Sequence, residues 1–249
     1  MQTPRTALVT GSSGPLGTSI SASLHRIGYK VVGVDYKPPR DSSCIFEFVE
    51  CDFLDEARLK KVMEPIFKHH NVETLVNNAA FTTESNTGEF AVEFEKQTAQ
   101  GVKDAFQVNA IAPFILSQIF HKYSDTQSNN LSIVNIGSIY GIVAPSVSLY
   151  QEQEFFSPCG YGMSKAALIH LTKYLSVVLA PKIRVNSVSP GGIKRNQNEQ
   201  FITRYQNLTP LKRMNSENET SEVVTFLVSE KSSYVTGQNF VVDGGWTVW

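Results

Sequence analysis

Short apolar runs rich in β-branched residues recur along this chain and alternate with longer helix-like stretches. Because the runs are apolar throughout rather than alternating, they are typical of parallel strands that are covered on both faces. The main runs are Ala7–Val9, Val31–Val34, Thr74–Val76, Ser132–Ile136, Arg184–Val188 and Asn239–Val242. The helix-like stretches are Gly17–Ile27, Glu56–His69, Lys103–Tyr123, Tyr161–Leu179 and Thr220–Ser229. This alternation predicts a doubly wound α/β sheet with helices on both faces.

Composition narrows the class of protein further. Of the 249 residues, 41% are hydrophobic, which is enough to bury a full-sized core without disulfides or metal. A formal net charge of −1 argues against a nucleic-acid-binding domain, which is usually markedly basic. No apolar stretch approaches the ~18 residues of a membrane span, and residues 1–5 lead straight into a strand-like segment rather than a signal peptide. Since no repeat or Pro/Gly-rich linker divides the chain, we expect one domain over residues 1–249.

The cysteines and histidines do not follow a disulfide or metal-binding pattern. Cys44, Cys51 and Cys159 form no CxxC pair and, being three, cannot all be paired with one another, which suits a reducing compartment. The five histidines lack the spacing of a metal site. We therefore expect a cytoplasmic protein with no metal, nucleic-acid or membrane partner.

A glycine-rich turn follows the strand-like segment Thr6–Thr10 and precedes a helix. Backbone amides in such a turn can approach a pyrophosphate at the positive end of the helix. A lone glycine turn is often only structural, but its place at the start of a β-α-β unit favours dinucleotide binding. The candidate cofactor-binding residues of the turn are Gly11, Ser13, Gly14, Leu16 and Gly17.

The second strand-like run is followed by Asp35, 18 residues after Gly17. A carboxylate at this position can accept hydrogen bonds from both hydroxyls of an adenosine ribose and would repel a 2′-phosphate. The alternative is a turn residue at the end of a strand. Lys37 and Arg40 lie nearby and keep NADP(H) as the second choice of cofactor. The sequence thus favours NAD(H) over NADP(H).

Tyr161 and Lys165 open an apolar helix-like stretch and, being four residues apart, lie on one helical face. A lysine cation beside a phenol favours the phenolate and lowers the tyrosine pKa toward neutral pH. Ser138 ends the run Ile133–Ser138, at the carboxyl end of a predicted strand, where α/β proteins bind ligands. Its hydroxyl can polarise a carbonyl, so the three residues suggest an acid–base site. By itself the tyrosine–lysine spacing also suits a solvated helix pair.

Taken together, the motifs resemble the short-chain dehydrogenase/reductase family over essentially the whole chain. The resemblance implies a Rossmann-type fold: a single domain with a mostly parallel, seven-stranded sheet. Besides the turn and the Ser138, Tyr161 and Lys165 set, it rests on Cys51-Asp52-Phe53, Asn77-Asn78-Ala79-Ala80, Val108-Asn109-Ala110, Pro190-Gly191-Gly192-Ile193, Thr236-Gly237-Gln238 and Asp243-Gly244-Gly245.

The resemblance also assigns cofactor contacts outside the glycine turn. Asp52 and Phe53 would flank the adenine. Tyr161 would lie close to the nicotinamide, and Lys165 would bind the hydroxyls of its ribose. The remaining contacts would line the cofactor groove or pack beside the nicotinamide, and they are Asn78, Ala79, Ala80, Pro190, Gly191 and Ile193.

For catalysis, the resemblance implies that Tyr161 is the general acid/base and that Ser138 positions the substrate oxygen. Lys165 would lower the tyrosine pKa. Asn109 would hold a water that links Lys165 to solvent; the alternative is a polar group inside a helix, satisfied by its own backbone. The implied reaction is NAD(P)(H)-dependent interconversion of a secondary alcohol and a ketone. Family members commonly form dimers or tetramers through the helices Lys103–Tyr123 and Tyr161–Leu179, so we expect a homodimer or homotetramer.

Several positions depart from the family pattern. Pro15 stands where a glycine is usual, and Arg195 stands where a threonine often contacts the nicotinamide amide. The 23-residue interval from Ser138 to Tyr161 is longer than usual, and its Tyr150, Phe155 and Phe156 either line a substrate pocket or pack on a neighbouring subunit.

A second long stretch, Phe81–Gln100, is rich in Thr, Glu and Gln, and a polar lining of this kind would suit a sugar derivative. The chain also resembles family members of bacterial surface-sugar and flagellin-glycan pathways. Two other functions remain as alternatives: a nucleotide-sugar epimerase or dehydratase, and a non-catalytic dinucleotide-binding sensor or scaffold.

Overall fold

The computed structural model describes residues 5–82, 90–124, 130–150 and 157–249. Two of the aromatic residues expected at the substrate pocket, Phe155 and Phe156, lie outside the described residues, and so do residues 83–89 of the polar stretch Phe81–Gln100. Among the described helices, none is long and apolar enough to cross a membrane.

Seven parallel strands form one sheet in the described part of the chain, in the order β3-β2-β1-β4-β5-β6-β7. The predicted Rossmann-type α/β fold is therefore confirmed. The strands are β1 (Thr6–Thr10), β2 (Lys30–Asp35), β3 (Glu47–Glu50), β4 (Val72–Asn77), β5 (Leu131–Ile136), β6 (Ile183–Pro190) and β7 (Asn239–Val242).

Helices cover both faces of the sheet. Side chains of α2, α4 and α5 contribute to the core on one face, and those of α1 and α7 contribute to the core on the other. The helices are α1 (Pro15–Arg26), α2 (Glu56–His69), α3 (Ala99–Phe106), α4 (Ala112–Tyr123), α5 (Cys159–Val178), α6 (Glu199–Asn207) and α7 (Glu217–Val228).

Burial of the sheet on both faces explains why its strands are apolar throughout. In β1, Leu8 points into one core while Ala7 and Val9 point into the other, and all three are fully buried. Successive strand residues face opposite sides of a sheet, so a strand covered on both sides needs an apolar residue at every position. This pattern made the central strands visible in the sequence.

The structure differs from the sequence expectation in the stretch Lys103–Tyr123. Instead of one helix it contains α3, a π-helical turn at Gln107–Ile111, and α4. The first of these helices also begins earlier than expected, because Thr98 caps it by accepting a hydrogen bond of 3.1 Å from the Gly101 N–H. The π-turn matters for the site because it carries Asn109, which is fully buried.

Candidate active site

The glycine turn joins β1 to α1 and brings its backbone close to the segment after β4. Gly11 has a φ of +64°, and a Cβ at this position would lie 2.7 Å from the Cα of Ala79. Gly17 allows α1 to pack on the turn, since a Cβ there would lie 1.9 Å from the Gly11 carbonyl oxygen. In the described part of the chain no side chain caps the first turn of α1. The positive end of this helix is therefore available to an anion.

Pro15 occupies the first turn of α1. Its missing N–H would have no partner within the helix at this position, so proline is compatible with the glycine turn.

Asp35 lies at the end of β2, beside the glycine turn. Its Oδ2 accepts a hydrogen bond of 3.0 Å from the Ser13 N–H, and its Oδ1 accepts one of 2.8 Å from the Tyr36 N–H. The carboxylate thus holds the turn, and it lies at the carboxyl end of the strands, where a ribose would bind. The Lys37 ammonium lies 4.8 Å from the centre of the Tyr36 ring.

Asn78, directly after β4, stabilises the glycine turn by hydrogen bonds. Its Nδ2 donates hydrogen bonds of 3.0 Å to the carbonyl oxygens of Thr10 and Gly11. The backbone N–H groups of Asn78 and Ala79 both donate to the Thr10 hydroxyl, also at 3.0 Å. Thr10 was not among the predicted site residues; its place directly before the first glycine was the available signal.

The two residues expected at the adenine lie in different environments. Asp52 is exposed, and its Oδ1 accepts a hydrogen bond of 3.0 Å from the Leu54 N–H. The Phe53 side chain is buried in the core, and its carbonyl oxygen accepts a hydrogen bond of 3.2 Å from the side chain of Gln107. Phe53 therefore presents its backbone, and not its ring, to the expected adenine site.

Ser138, Tyr161 and Lys165 meet where β5 ends against α5. The Ser138 hydroxyl forms a hydrogen bond with Tyr161 and accepts another, of 3.1 Å, from the Tyr140 N–H. Lys165 is 2% exposed, and its Nζ lies 5.8 Å from the centre of the Tyr161 ring. The structure thus brings together the three residues that the sequence singled out for acid–base chemistry.

The electrostatics of this group differ from the expectation. Burial raises the pKa of Tyr161; the Ser138 hydrogen bond and the Arg195 guanidinium act in the opposite direction and lower it. Burial also lowers the pKa of Lys165 to about 7. Desolvation, which disfavours both charged forms, therefore outweighs the groups that lower the tyrosine pKa, and the expected lowering by the lysine stays a prediction.

Asn109 is satisfied by the backbone of another segment rather than by its own helix. Its Oδ1 accepts a hydrogen bond of 2.7 Å from the Phe81 N–H, and its Nδ2 donates to the Phe81 carbonyl oxygen at 3.3 Å. The same Nδ2 donates to the Ser164 hydroxyl at 2.9 Å, which in turn donates to the Tyr161 carbonyl oxygen at 2.8 Å. Asn109 thus connects the rim of the sheet to the first turn of α5.

Aromatic side chains surround Tyr161. Phe81 and Phe90 pack edge to face, with their ring centres 4.8 Å apart, and Tyr161 packs against the cluster that contains them. The described part of the stretch that was expected to be polar therefore places two buried aromatic rings beside the tyrosine.

The hydroxyls of Tyr140 and Tyr150 form a hydrogen bond of 2.9 Å within the long interval before Tyr161.

The segment after β6 lies at the same end of the sheet, where the strands have their carboxyl ends. The Gly191 N–H donates a hydrogen bond of 2.9 Å to the Val242 carbonyl oxygen, and Ile193 pairs with Asn215 in an isolated bridge. Arg195 follows, with its Nε 3.0 Å from a carboxylate oxygen of Glu217. Pro190, at the end of β6, begins this segment.

A mostly apolar cavity of about 410 Å³ lies near α5 but not at the tyrosine. Gly162, Met163 and Ala166 line it, and they lie on a different face of the helix from Tyr161 and Lys165. This cavity thus lies on another side of α5 from the tyrosine–lysine pair.

The observed features define a class of protein. A parallel doubly wound sheet, a tight glycine turn before an uncapped helix and an acidic residue at the end of the second strand are the features of a Rossmann-type dinucleotide-binding protein. The residues present fit such a cofactor, because the turn offers backbone and a positive helix end, while Asp35 offers carboxylate oxygens.

Comparisons with known proteins identify the family. The family model described as enoyl-(acyl carrier protein) reductase matches residues 11–247. A short-chain dehydrogenase from Leptospira borgpetersenii, solved with bound NAD+, is 33% identical, with a TM-score of 0.86 over 98% of this chain and 93% of that one. The chain belongs to the short-chain dehydrogenase/reductase family and is an NAD(P)-dependent oxidoreductase.

Two curated relatives match over similar lengths. D-arabinitol 2-dehydrogenase from Scheffersomyces stipitis is 30% identical, over 98% of this chain and 94% of the relative. The 7alpha-hydroxysteroid dehydrogenase from Bacteroides fragilis is 29% identical, over 97% of this chain and 93% of the relative.

Proposed function

We propose that the protein interconverts a secondary alcohol and a ketone by hydride transfer, with NAD(H) preferred and with Tyr161 as the general acid/base. The observation that carries this proposal is the meeting of Ser138, Tyr161 and Lys165 at the end of β5. One domain over residues 1–249 would carry both cofactor binding and catalysis.

The glycine turn and Asp35 would hold the adenosine diphosphate half of the cofactor. Asp52, the Phe53 backbone, Asn78, Ala79 and Ala80 would complete that groove. Pro190, Gly191 and Ile193 would pack beside the nicotinamide, which, when bound, supplies a hydride to the substrate carbonyl carbon or accepts one from the alcohol carbon.

Residues of this chain bind the substrate oxygen and transfer the proton to or from it. In reduction, the Tyr161 hydroxyl gives its proton to the substrate oxygen, and in oxidation the phenolate takes that proton back. The Ser138 hydroxyl holds the same oxygen. Lys165 binds the ribose hydroxyls, and protonation of its amine beside the phenolate would favour the charged tyrosine. Asn109 would hold the connecting water from its backbone, because its side-chain amide is engaged by Phe81 and Ser164.

NAD(H) is favoured over NADP(H) by the carboxylate of Asp35. Its two oxygens are fixed by the Ser13 and Tyr36 N–H groups at the end of β2, so a 2′-phosphate would approach a negative charge held in place. The bound NAD+ of the Leptospira relative supports the same choice.

A polyol or sugar derivative is our proposed substrate. The paired hydroxyls of Tyr140 and Tyr150 offer hydrogen-bond partners in the segment that leads to Tyr161. The relative named D-arabinitol 2-dehydrogenase supports this class.

The proposed partners and location follow the sequence expectation. Apolar side chains on α4 and α5, namely Phe114, Tyr174, Val177 and Val178, are exposed and would be covered in a homodimer or homotetramer. The three cysteines are free, which supports a cytoplasmic location.

The test is reduction of NAD+ in the presence of polyols, with hydroxysteroids as the competing class. Tyr161→Phe is expected to lower kcat by about 10²–10⁴-fold while NADH binding is retained. Turnover that survives this substitution would remove the proposed mechanism. NADH binding without turnover on any alcohol or ketone would favour the sensor alternative, and turnover without net change in NADH would favour the epimerase.

A further inference from the structure

Tyr205, on α6, is joined to the backbone next to the proposed nicotinamide site. Its hydroxyl oxygen accepts a hydrogen bond of 2.6 Å from the Gly192 N–H. On the other side of the same residue, the Gly192 carbonyl oxygen accepts a hydrogen bond of 2.9 Å from the Asn215 N–H. Both polar groups of the Gly192 backbone are therefore fixed by neighbouring elements.

The absence of side chains at two successive glycines lets the backbone lie directly on the phenol. A Cβ at Gly192 would lie 2.6 Å from Cε2 of Tyr205, and a Cβ at Gly191 would lie 2.9 Å from its hydroxyl oxygen. These distances leave no space for a methyl group. The shape of this segment is consequently matched to the tyrosine ring.

The other face of the ring is also covered. Trp246 stacks on Tyr205, with ring centres 4.4 Å apart and an interplanar angle of 23°. Tyr205 is 2% exposed and Trp246 is 9% exposed. Burial raises the pKa of Tyr205 to about 12, so its hydroxyl keeps its proton at neutral pH. The ring is therefore held by contacts with both the Gly191–Gly192 backbone and the tryptophan.

The two halves of the cofactor groove are far apart in the sheet. Asp35 ends β2, while Gly191 and Gly192 follow β6, and these strands are separated by β1, β4 and β5. Four strand spacings amount to about 19 Å. A change at Tyr205 should thus act on one half of the groove only.

We propose that Tyr205 is a positioning residue for the nicotinamide half of the cofactor. Its hydroxyl and ring hold the Gly191–Gly192 backbone in the shape that receives the nicotinamide, while the glycine turn and Asp35 hold the adenosine diphosphate half independently. This inference rests on the proposed function, since it takes that cofactor as the ligand.

The test compares two ligands by titration calorimetry: NAD+, and ADP-ribose, which lacks the nicotinamide ring. Tyr205→Phe removes only the hydroxyl and leaves the ring that packs on Trp246. Because one neutral hydrogen bond is lost, we expect Kd for NAD+ to rise about fivefold, while Kd for ADP-ribose stays within about twofold.

Tyr29→Phe is the matched control. Tyr29 is also 2% exposed, and its hydroxyl donates to the Val228 carbonyl oxygen at 3.4 Å, but it lies just before β2, at the opposite end of the strands. This variant loses the same atom and is expected to bind both ligands as the wild type does.

Three results would overturn the inference: an unchanged NAD+ affinity in Tyr205→Phe, an equal loss for both ligands, or the same selective loss in Tyr29→Phe. A wild-type protein that binds neither ligand would instead refute the proposed function. If Tyr205→Phe does not fold, as judged by its thermal transition, Trp246→Leu replaces it. This variant keeps the hydroxyl but removes the ring behind it, and the same selective loss of NAD+ affinity is expected.

Discussion

The side-chain nitrogen of Lys165 donates a hydrogen bond of 2.7 Å to the backbone carbonyl oxygen of Ile136. Ile136 is the last residue of β5, and Ser138, two residues later, forms the hydrogen bond with Tyr161. The end of a single strand thus positions both members of the tyrosine–lysine pair. The lysine is held by the sheet rather than by the tyrosine.

Lys165 should make the stability of the protein depend on pH. In the unfolded chain its pKa is about 10.4, whereas burial lowers it to about 7 in the folded protein. Between these values the unfolded state binds one more proton, so the free energy of unfolding rises with pH, by up to about 1.4 kcal/mol per pH unit. Below pH 7 both states are protonated and this contribution to the slope disappears.

Urea unfolding of the wild type and of Lys165→Met from pH 6 to pH 9 measures this effect. We expect the difference in unfolding free energy between the two proteins to shift in favour of the wild type as pH rises above 7. Curves that stay parallel over this range would contradict the lowered lysine pKa.

Arg195 should tune the catalytic tyrosine. Its guanidinium lowers the pKa of Tyr161, so Arg195→Met is expected to raise that pKa. Alcohol oxidation needs the phenolate, and its kcat/KM should therefore rise with pH along a curve displaced to higher pH in the variant. Arg213→Met is the matched control, because Arg213 also pairs with a glutamate of α7, Glu219, but is not among the groups that act on Tyr161. A displaced curve in both variants, or in neither, would show that Arg195 has no such role.

Asp35 should set the choice of cofactor. Asp35→Asn removes the negative charge while retaining an oxygen that can accept from the Ser13 or Tyr36 N–H. We expect the ratio of kcat/KM for NAD+ to that for NADP+ to fall by about tenfold, which corresponds to about 1.4 kcal/mol of lost repulsion. Asp41→Asn, at an exposed turn, should leave the ratio unchanged. A wild type that already prefers NADP+ would be incompatible with this role of Asp35.

Gly11 should be needed for more than its backbone angle. Gly11 and Gly28 both have positive φ, +64° and +91°, so alanine at either position costs about 1–2 kcal/mol of backbone strain. A Cβ at Gly28 meets nothing within 4 Å, whereas one at Gly11 lies 2.7 Å from Ala79. We expect Gly11→Ala to lose more stability than Gly28→Ala in chemical denaturation and, unlike it, to lose NAD+ affinity. Equal effects of the two substitutions would mean that the close approach to Ala79 is unimportant.

The central strands could be predicted from the sequence because they are buried on both sides. The apolar run of β1 is visible because Leu8 and its neighbours face two cores. β3 was not found, because the segment Glu47–Glu50 lies at the edge of the sheet and is only partly buried, so it carries glutamates at both ends. Its short, polar sequence has no pattern that separates it from a loop.

Site residues could be predicted where a single local sequence pattern contains them. The glycine turn and the spacing of Tyr161 and Lys165 could be read directly, but the pKa directions could not, because they depend on how deeply α5 is buried. The π-turn at Asn109 was missed since one extra residue in a helix leaves the apolar period nearly unchanged. Tyr205 was missed because its role comes from contacts with Gly192 and Trp246, which the chain brings together only in three dimensions.

The double hydrogen bond between Asn109 and the backbone of Phe81 has a further consequence. It anchors the chain just after β4, and the Gln97 side chain anchors it again by accepting a hydrogen bond of 3.0 Å from the Cys159 N–H at the start of α5. The intervening residues are thus bounded by two fixed points, neither of which lies within them. The described chain that packs beside Tyr161 is therefore held at both ends, by the π-turn at one end and by the start of α5 at the other.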